Sequence, residues 1–558
     1  MKSYCWARFS QNRPNNDVNI LHHICTVSRQ SVCCPGGESP NDGRRYSKGQ
    51  SRGRYPVGDD TGPVQTDQPS TEGQRRGRLR DEELELALGV YPKARCRKAE
   101  MKNVQRAHVH IYHDTDSEQN SEADEELPND YSEFYFGKDG VTKWKKTMWQ
   151  KTQIRTRSVN IISKLPGPKS EAKSIESESD AFTKIIDNDM VQKIVDCTNA
   201  YISNIKEHFS RERDAKLTTV TEILALFGLL IMSGVKRAAH LTYKELWAVD
   251  GSGVEIVRAI MSQERFLFLL RCLRFDDITT RKERKKLDKL APIREFVEAF
   301  VYNCVALDSN MPNKPAKYGL KIYTISDART FYTFNFEIYC GKQPDGPYKK
   351  SNSPDDIVKR LIIPISGTSR NITTDNWYTS YKLSQDLLTE HKLTLVGTLK
   401  KNKKEIPKIF LPNRNRPKYN SIFGFTQNTT LVSYVPKKSK AVLLLSTMHS
   451  NPTIDEESGF QLKPEIVTFY NLTKGGVDMV NQMCGTYSVS RRTNRWPLCL
   501  FFDLLNVAGI NSEIIFKSLN INSPRVPRRI FLKNISLQLF QDHLKIRSQL
   551  KKLSEKSP

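Results

Sequence analysis

The sequence has no Cys-x-x-Cys pair, although 11 cysteines are spread over its 558 residues. An odd number of scattered cysteines indicates neither a zinc module nor a disulfide framework, so no zinc is expected. Cys25 and Cys33-Cys34 lie near His22-His23, and His108, His110 and His113 are closely spaced, yet neither group has the company of a ligand set, and both read as unligated. Long hydrophobic runs are scarce as well. The most apolar, 223–235, is too short to span a bilayer and reads as a buried helix. The first residues, Met1-Lys-Ser-Tyr-Cys5, lack the apolar core of a signal peptide. The expectation is an intracellular chain with no membrane segment. Hydrophobic residues make up 38%, low for a chain that is globular throughout, so part of it is expected to be disordered. Acid is scarce relative to base: 62 Asp and Glu against 87 Lys and Arg leave a formal charge of +25. That excess points to a polyanion, nucleic acid first and an anionic membrane surface second.

What is present divides the chain into about three or four domains by length. Residues 1–180 read as a mostly disordered tail, rich in Gly, Ser, Pro and charge, with an acidic block at 114–130. Such a block would bind a protein partner or compete with DNA for the basic surface. Residues 143–157 turn basic around Trp144 and Trp149; a nuclear-localisation or nucleic-acid patch and an ordinary linker fit equally well. Over 181–310 apolar residues follow helical spacing at 188–208, 221–232, 241–247, 255–261, 264–275 and 290–305. Arg265, Arg271 and Arg274 are interleaved, and 281–286 reads as a basic loop, so this is expected to be an all-α domain with a basic exterior. Beyond 311, β-branched and aromatic residues predict strands at 320–325, 330–340 and 393–397, with a helix at 355–361. Helices covering strands in that order predict a layered α/β core over 311–404. Short strands at 430–435, 441–445 and 465–470 read as an inserted β-rich module over 405–465. The core resumes at 466–520, with an apolar helix at 498–515 packing on the sheet, and 521–558 is a basic helical tail.

One stretch organises the α/β part. Asn371-Ile-Thr-Thr-Asp-Asn-Trp-Tyr-Thr-Ser380 lies between an apolar run and a helical pattern beginning at Tyr381. Asp375 is thereby expected at the C-terminal end of a short strand, the edge at which α/β sheets bind ligands. The plain alternative, favoured by spacing alone, is that Asp375 and Asn376 start a turn or cap a helix. Further on, Gly475-Gly476 turns into a helix that carries Asp478 and Asn481 on one face. Basic candidates for phosphate contact are Lys314, Lys317, Lys400, Lys401, Lys403, Lys404, Lys474, Arg491, Arg492 and Arg495. Trp496 would either stack on a base or pack at a helix start beside Pro497.

Four stretches taken together resemble the piggyBac transposase family: Lys314-Pro-Ala-Lys-Tyr-Gly-Leu-Lys321, the Asn371–Ser380 stretch, Asn471-Leu-Thr-Lys-Gly-Gly-Val-Asp478 and Ser490-Arg-Arg-Thr-Asn-Arg-Trp-Pro497. Their order and separations match too, and the resemblance spans roughly 185–520. It implies an RNase H-like core with an insertion, acting in cut-and-paste DNA transposition through three aspartates that hold Mg²⁺. Two such cations flank a phosphodiester, one activating the attacking oxygen and one stabilising the leaving oxygen. The second and third family aspartates fall on Asp375 and Asp478, as catalytic and metal-binding residues. It also implies double-stranded DNA as partner, a homodimer and a nuclear location.

The chain departs from that pattern. The family's first aspartate lies on a strand ahead of the Pro-Asn-Lys-Pro motif, and here only Val305-Ala-Leu-Asp-Ser-Asn310 separates a helix from Met311. Asp308 is the sole acid there and stands too close to Met311 to match. Asn481 replaces a further family aspartate, and no cysteine follows Cys499, so the Cys-rich zinc module is not expected. The core is therefore expected to be incomplete, with unpaired backbone on the strands flanking the gap. A deletion in a domesticated or decayed copy and an omitted exon are the favoured explanations; a rearranged sheet is the third. The function expected is that of a transposase-derived DNA-binding protein with defective catalysis. An active Mg²⁺-dependent transposase and a non-catalytic adaptor using the acidic tail are the alternatives.

Overall fold

The computed structural model describes residues 24–32, 132–149, 157–163, 167–308 and 320–551. The acidic block at 114–130 and the motif containing Lys314 and Lys317 lie outside the described residues. By its internal contacts the chain divides into two units. One holds residues 1–33, 132–491 and 497–558; the other holds 34–131 and 492–496.

The larger unit is built on one ten-stranded mixed sheet, ordered β2-β3-β8-β9-β10-β7-β6-β1-β4-β5. Its central portion is β6 (Asn371–Thr374), with β7 (Thr394–Thr398) parallel on one side and β1 (Ile24–Val32) parallel on the other. Beyond β1 the antiparallel pair β4 (Leu320–Asp327) and β5 (Thr333–Tyr339) closes that edge. The expectation of a sheet short of one strand is thus corrected. Residues 305–308 supply no strand, but residues 24–32 pair with both flanking strands, Cys25–Val32 with β4 and Ile24–Val27 with β6. A tail read as disordered contributes the strand that joins the two parts of the sheet, because backbone on β4 and β6 would otherwise go unpaired.

The β-rich stretch after 405 is not a separate module. β8 (Ser421–Phe425), β9 (Thr430–Lys437) and β10 (Lys440–Ser446) extend the same sheet, Leu444 of β10 pairing with Thr398 of β7. At its far edge the hairpin β2 (Phe134–Phe136) and β3 (Lys143–Lys145) adds on through Lys145 and Phe425. Trp144, in the patch read as nucleic-acid binding or linker, is buried with Phe410, Leu431 and Leu445. Its indole N–H donates to the Glu405 carbonyl at 2.8 Å.

Helices cover the sheet, and a helical stretch precedes it within the same unit. The run 465–470, read as a strand from its β-branched and aromatic residues, is instead part of a helix, α11 (Glu465–Thr473), that packs on β1, β7 and β10. Pro464 sits at its start, where a missing N–H costs nothing. In the all-α part, α3 (Val220–Val235) is buried nearly all round and lies along the C-terminal helix α14 (Arg528–Lys551). Gly228 permits that approach: a Cβ there would come within 2.9 Å of Phe540 and 3.0 Å of the Ser536 carbonyl. The basic run 281–286 is a helix, α7 (Arg281–Leu287), and not a loop. Arg281 and Arg284 both turn onto the buried carboxylate of Asp276, Arg284 Nη2 at 2.7 Å. Arg274 is buried over the Tyr201 ring, 3.5 Å from its centroid, and Arg265 pairs with Glu222 at 2.6 Å. Much of the charge read as a basic exterior is therefore committed inside the domain.

The helix α13 (Trp496–Leu519) is long and apolar enough to cross a membrane by length and composition. Of its apolar window, 89% is buried inside the protein, as in a core helix. Asn511 on it accepts a hydrogen bond from the Thr333 N–H at 2.9 Å and donates to the Thr333 carbonyl, tying the helix to the start of β5.

Candidate active site and its basic surroundings

The site begins where β6 ends. Asn371–Thr374 are all buried, and the chain leaves the sheet at half-buried Asp375. The turn that follows is held by its own side chains. The Trp377 N–H donates to Asp375 Oδ1 at 2.9 Å, and the Thr379 N–H donates to the Asp375 carbonyl at 3.1 Å. The Thr379 hydroxyl donates to the same carbonyl at 2.7 Å and lies 2.7 Å from the Thr374 hydroxyl. Ser380 then caps α10 (Tyr381–Thr389), its hydroxyl accepting from the Leu383 N–H at 3.0 Å. The same hydroxyl lies 3.2 Å from Asp355, in the first turn of α9 (Pro354–Leu361). Asp375 thus does act in a turn, as the plain reading had it, and it also stands at the strand edge.

Two neighbours shape the turn. Gly397 on β7 faces the Thr374–Thr379 hydroxyl pair, and a Cβ there would approach the Thr374 carbonyl oxygen to 2.9 Å as well as meeting both hydroxyls. On the opposite side the Trp377 ring stacks on Tyr323 of β4, with centroids 6.0 Å apart and planes at 7°. Asp478 belongs to α12 (Gly476–Thr486), two residues into the helix. That helix packs against β1 and β4. Asp375 and Asp478 therefore sit on elements that both border β1. Asn481 is one turn further along α12 and half-buried.

The basic candidates lie on several separate elements. Lys400 and Lys403 are half-buried, and Lys401 and Lys404 are exposed, on the loop that follows β7. The β2–β3 hairpin holds that loop: Lys138 Nζ donates to the Lys401 carbonyl at 2.8 Å, and the Asp139 N–H to the Lys404 carbonyl at 3.0 Å. Lys138 is a cation that sequence reasoning passed over, because nothing local shows which loop the hairpin will meet. Lys474 is exposed at the end of α11, its ammonium 5.6 Å from the Tyr470 ring centroid. Arg491, expected at a DNA surface, is instead buried, 8% exposed, with its guanidinium donating to the Ala238 carbonyl. Burial lowers its pKa. In the smaller unit Arg492 is exposed, Arg495 and Trp496 are half-buried, and the Arg495 N–H donates to the Thr493 hydroxyl at 3.2 Å.

The donor chemistry tests the expected cation site. Mg²⁺ takes hard oxygen ligands, mostly carboxylates and waters. Asp375 and Asp478 are suitable donors, but β1, which both border, reads Ile24-Cys-Thr-Val-Ser-Arg-Gln-Ser-Val32 and contains no carboxylate. Among the described residues no group of three or more His, Cys, Asp or Glu side chains is placed to hold a metal.

A family model described as Transposase IS4 matches residues 177–310 and 305–513. The two segments overlap at 305–310, at the end of the helical stretch that precedes β4. A solved cryo-EM structure, a piggyBac transposase synaptic complex with hairpin DNA, is similar over 71% of this chain and 88% of its own, with 34% identity and a TM-score of 0.64. The fold and the match together define a transposase-type protein, and the chain belongs to the piggyBac transposase family. Transposases of this class generally use a divalent metal, and the similar structure holds DNA.

Proposed function

We propose that this chain is a piggyBac-family protein that binds double-stranded DNA without cutting it. Its mixed α/β core is RNase H-like, with Asp375 and Asp478 as the remaining carboxylates of the family's cation site. The observation that carries this reading is the acid-free β1 bordering both aspartates. Two carboxylates would hold Mg²⁺ only through a shell completed mainly by water. The residues present therefore do not fit a two-cation centre, and no step is assigned to one. Under this reading the chain acts in the nucleus, as a homodimer on DNA.

The DNA contacts proposed are the exposed Lys401, Lys404, Lys474 and Arg492 together with the half-buried Lys400, Lys403 and Arg495. Lys314 and Lys317 join them from sequence alone. Binding is measured by fluorescence anisotropy on a labelled duplex across a salt series. Nicking is measured on a supercoiled plasmid with Mg²⁺ or Mn²⁺. Salt-dependent binding with no nicking above the Asp375→Ala background is expected. Metal-dependent nicking abolished by Asp375→Ala would establish the active enzyme instead, and absence of duplex binding would remove the DNA-binding reading.

A further inference from the structure

We propose that residues Ile24–Val32 are the strand that closes the core sheet, delivered from the N-terminus in place of a local one, and that Ser28 occupies the sheet position beside Asp375 from which a third carboxylate would have to come. The second half rests on the cation-site reading above; the first does not.

The register carries the placement. β1 runs parallel to β6 with Val27 opposite Thr374, so continuing that register by one residue brings Ser28 level with Asp375, just past the end of β6. On its other side Ser28 is paired directly with Thr324 of β4. Ser28 and Thr324 thus share one row and one face of the sheet, and Asp375 stands level with that row at the end of β6. Thr324 is buried, 2% exposed, and its hydroxyl has no hydrogen-bond partner among the described residues. A buried hydroxyl without a partner is unusual in a packed sheet, and it marks this row as polar.

The acids around the β4–β5 turn, Asp327 and Asp308, do not substitute. Asp327 is on β4, but it pairs with Cys25, three residues from the Ser28 row, roughly 10 Å along the strand. It accepts from the Arg329 and Thr330 N–H groups and so shapes the turn into β5. Asp308 is buried at the end of α8 (Arg294–Leu307), near Tyr332, at the same far end as Asp327. The strand is therefore retained for the sheet while the row beside Asp375 holds a hydroxyl in place of a carboxylate.

Two measurements on the full chain test this. Hydrogen exchange read by mass spectrometry should show 24–32 protected together with 320–327 and 371–374, slowed by at least ~1,000-fold. Unprotected exchange at 24–32 beside a protected 371–374 would overturn the strand placement, whatever the function. The second compares Ser28→Asp with Arg29→Asp, one residue on and thus on the opposite face. Mg²⁺ at millimolar concentration should raise the melting temperature of Ser28→Asp by at least about 2 °C more than that of wild type or Arg29→Asp. An equal response in both variants, or none in Ser28→Asp while its 24–32 region remains protected, would remove Ser28 from the row. Nicking activity is not the readout, so a catalytically silent Ser28→Asp that binds Mg²⁺ still supports the inference.

Discussion

At the scale of single residues, position decides whether a charged group is available for chemistry. Arg491 and Arg492 are neighbours in sequence, yet the first is buried against the Ala238 carbonyl and the second is exposed. Asp503, on α13 near Cys484, shows how burial alone retunes a carboxyl: it is pushed up to about 7. Its folded pKa lies above the unfolded value, so the folded state holds the proton more tightly. Asp503 therefore contributes stability that is fully present at low pH and is lost as pH rises toward 7. Asp503→Asn should flatten the fall in melting temperature between about pH 5 and pH 7. An unchanged pH profile would show that the group ionises normally.

At the scale of elements, the turn after β6 depends on one close approach. Gly397→Ala would push a methyl into the Thr374–Thr379 hydroxyl pair that holds the Asp375 loop. A loss of about 1–3 kcal/mol in a urea titration is expected, with faster exchange at 375–380. A neutral outcome would mean that the two strands separate freely there. The strand ending at Asp375 was legible in the sequence because an apolar run, Asp375 and the Ser380 cap follow in order over a few residues. Its partner β1 was not. Ile24-Cys-Thr-Val-Ser-Arg-Gln has only a short alternation, sits in a polar tail, and pairs with residues some 300 positions away. The helix Glu465–Thr473 was misread as a strand because Ile466, Val467, Thr468, Phe469 and Tyr470 carry β-propensity, which packing against the sheet overrides. The run 281–286 was misread as a loop for lack of apolar residues; its arginines find Asp276 only once the chain is folded.

At the scale of the whole molecule, the formal charge of +25 overstates what DNA can meet. Arg265, Arg281, Arg284 and Arg294 are paired with carboxylates, and Arg274 and Arg491 are buried. The loop at 400–404 keeps its cations near the surface. Lys401→Ala with Lys404→Ala should weaken duplex binding about equally across sequences and reduce the salt slope by about 1–2. Arg491→Ala should lower the melting temperature and leave the slope unchanged. The reverse pattern would move the DNA surface from the 400–404 loop to the surroundings of Arg491. The family match was legible from four motifs; the way the sheet is completed was not, since pairing between distant segments leaves no local mark.

The central claim is that this core offers too few carboxylates to hold the cations of strand transfer. Titration of the full chain with Mn²⁺, followed by electron paramagnetic resonance, tests it most directly. The account predicts only weak binding, the same in wild type and in Asp375→Ala. A stoichiometric, tightly held Mn²⁺ that Asp375→Ala and Asp478→Ala each abolish would contradict it.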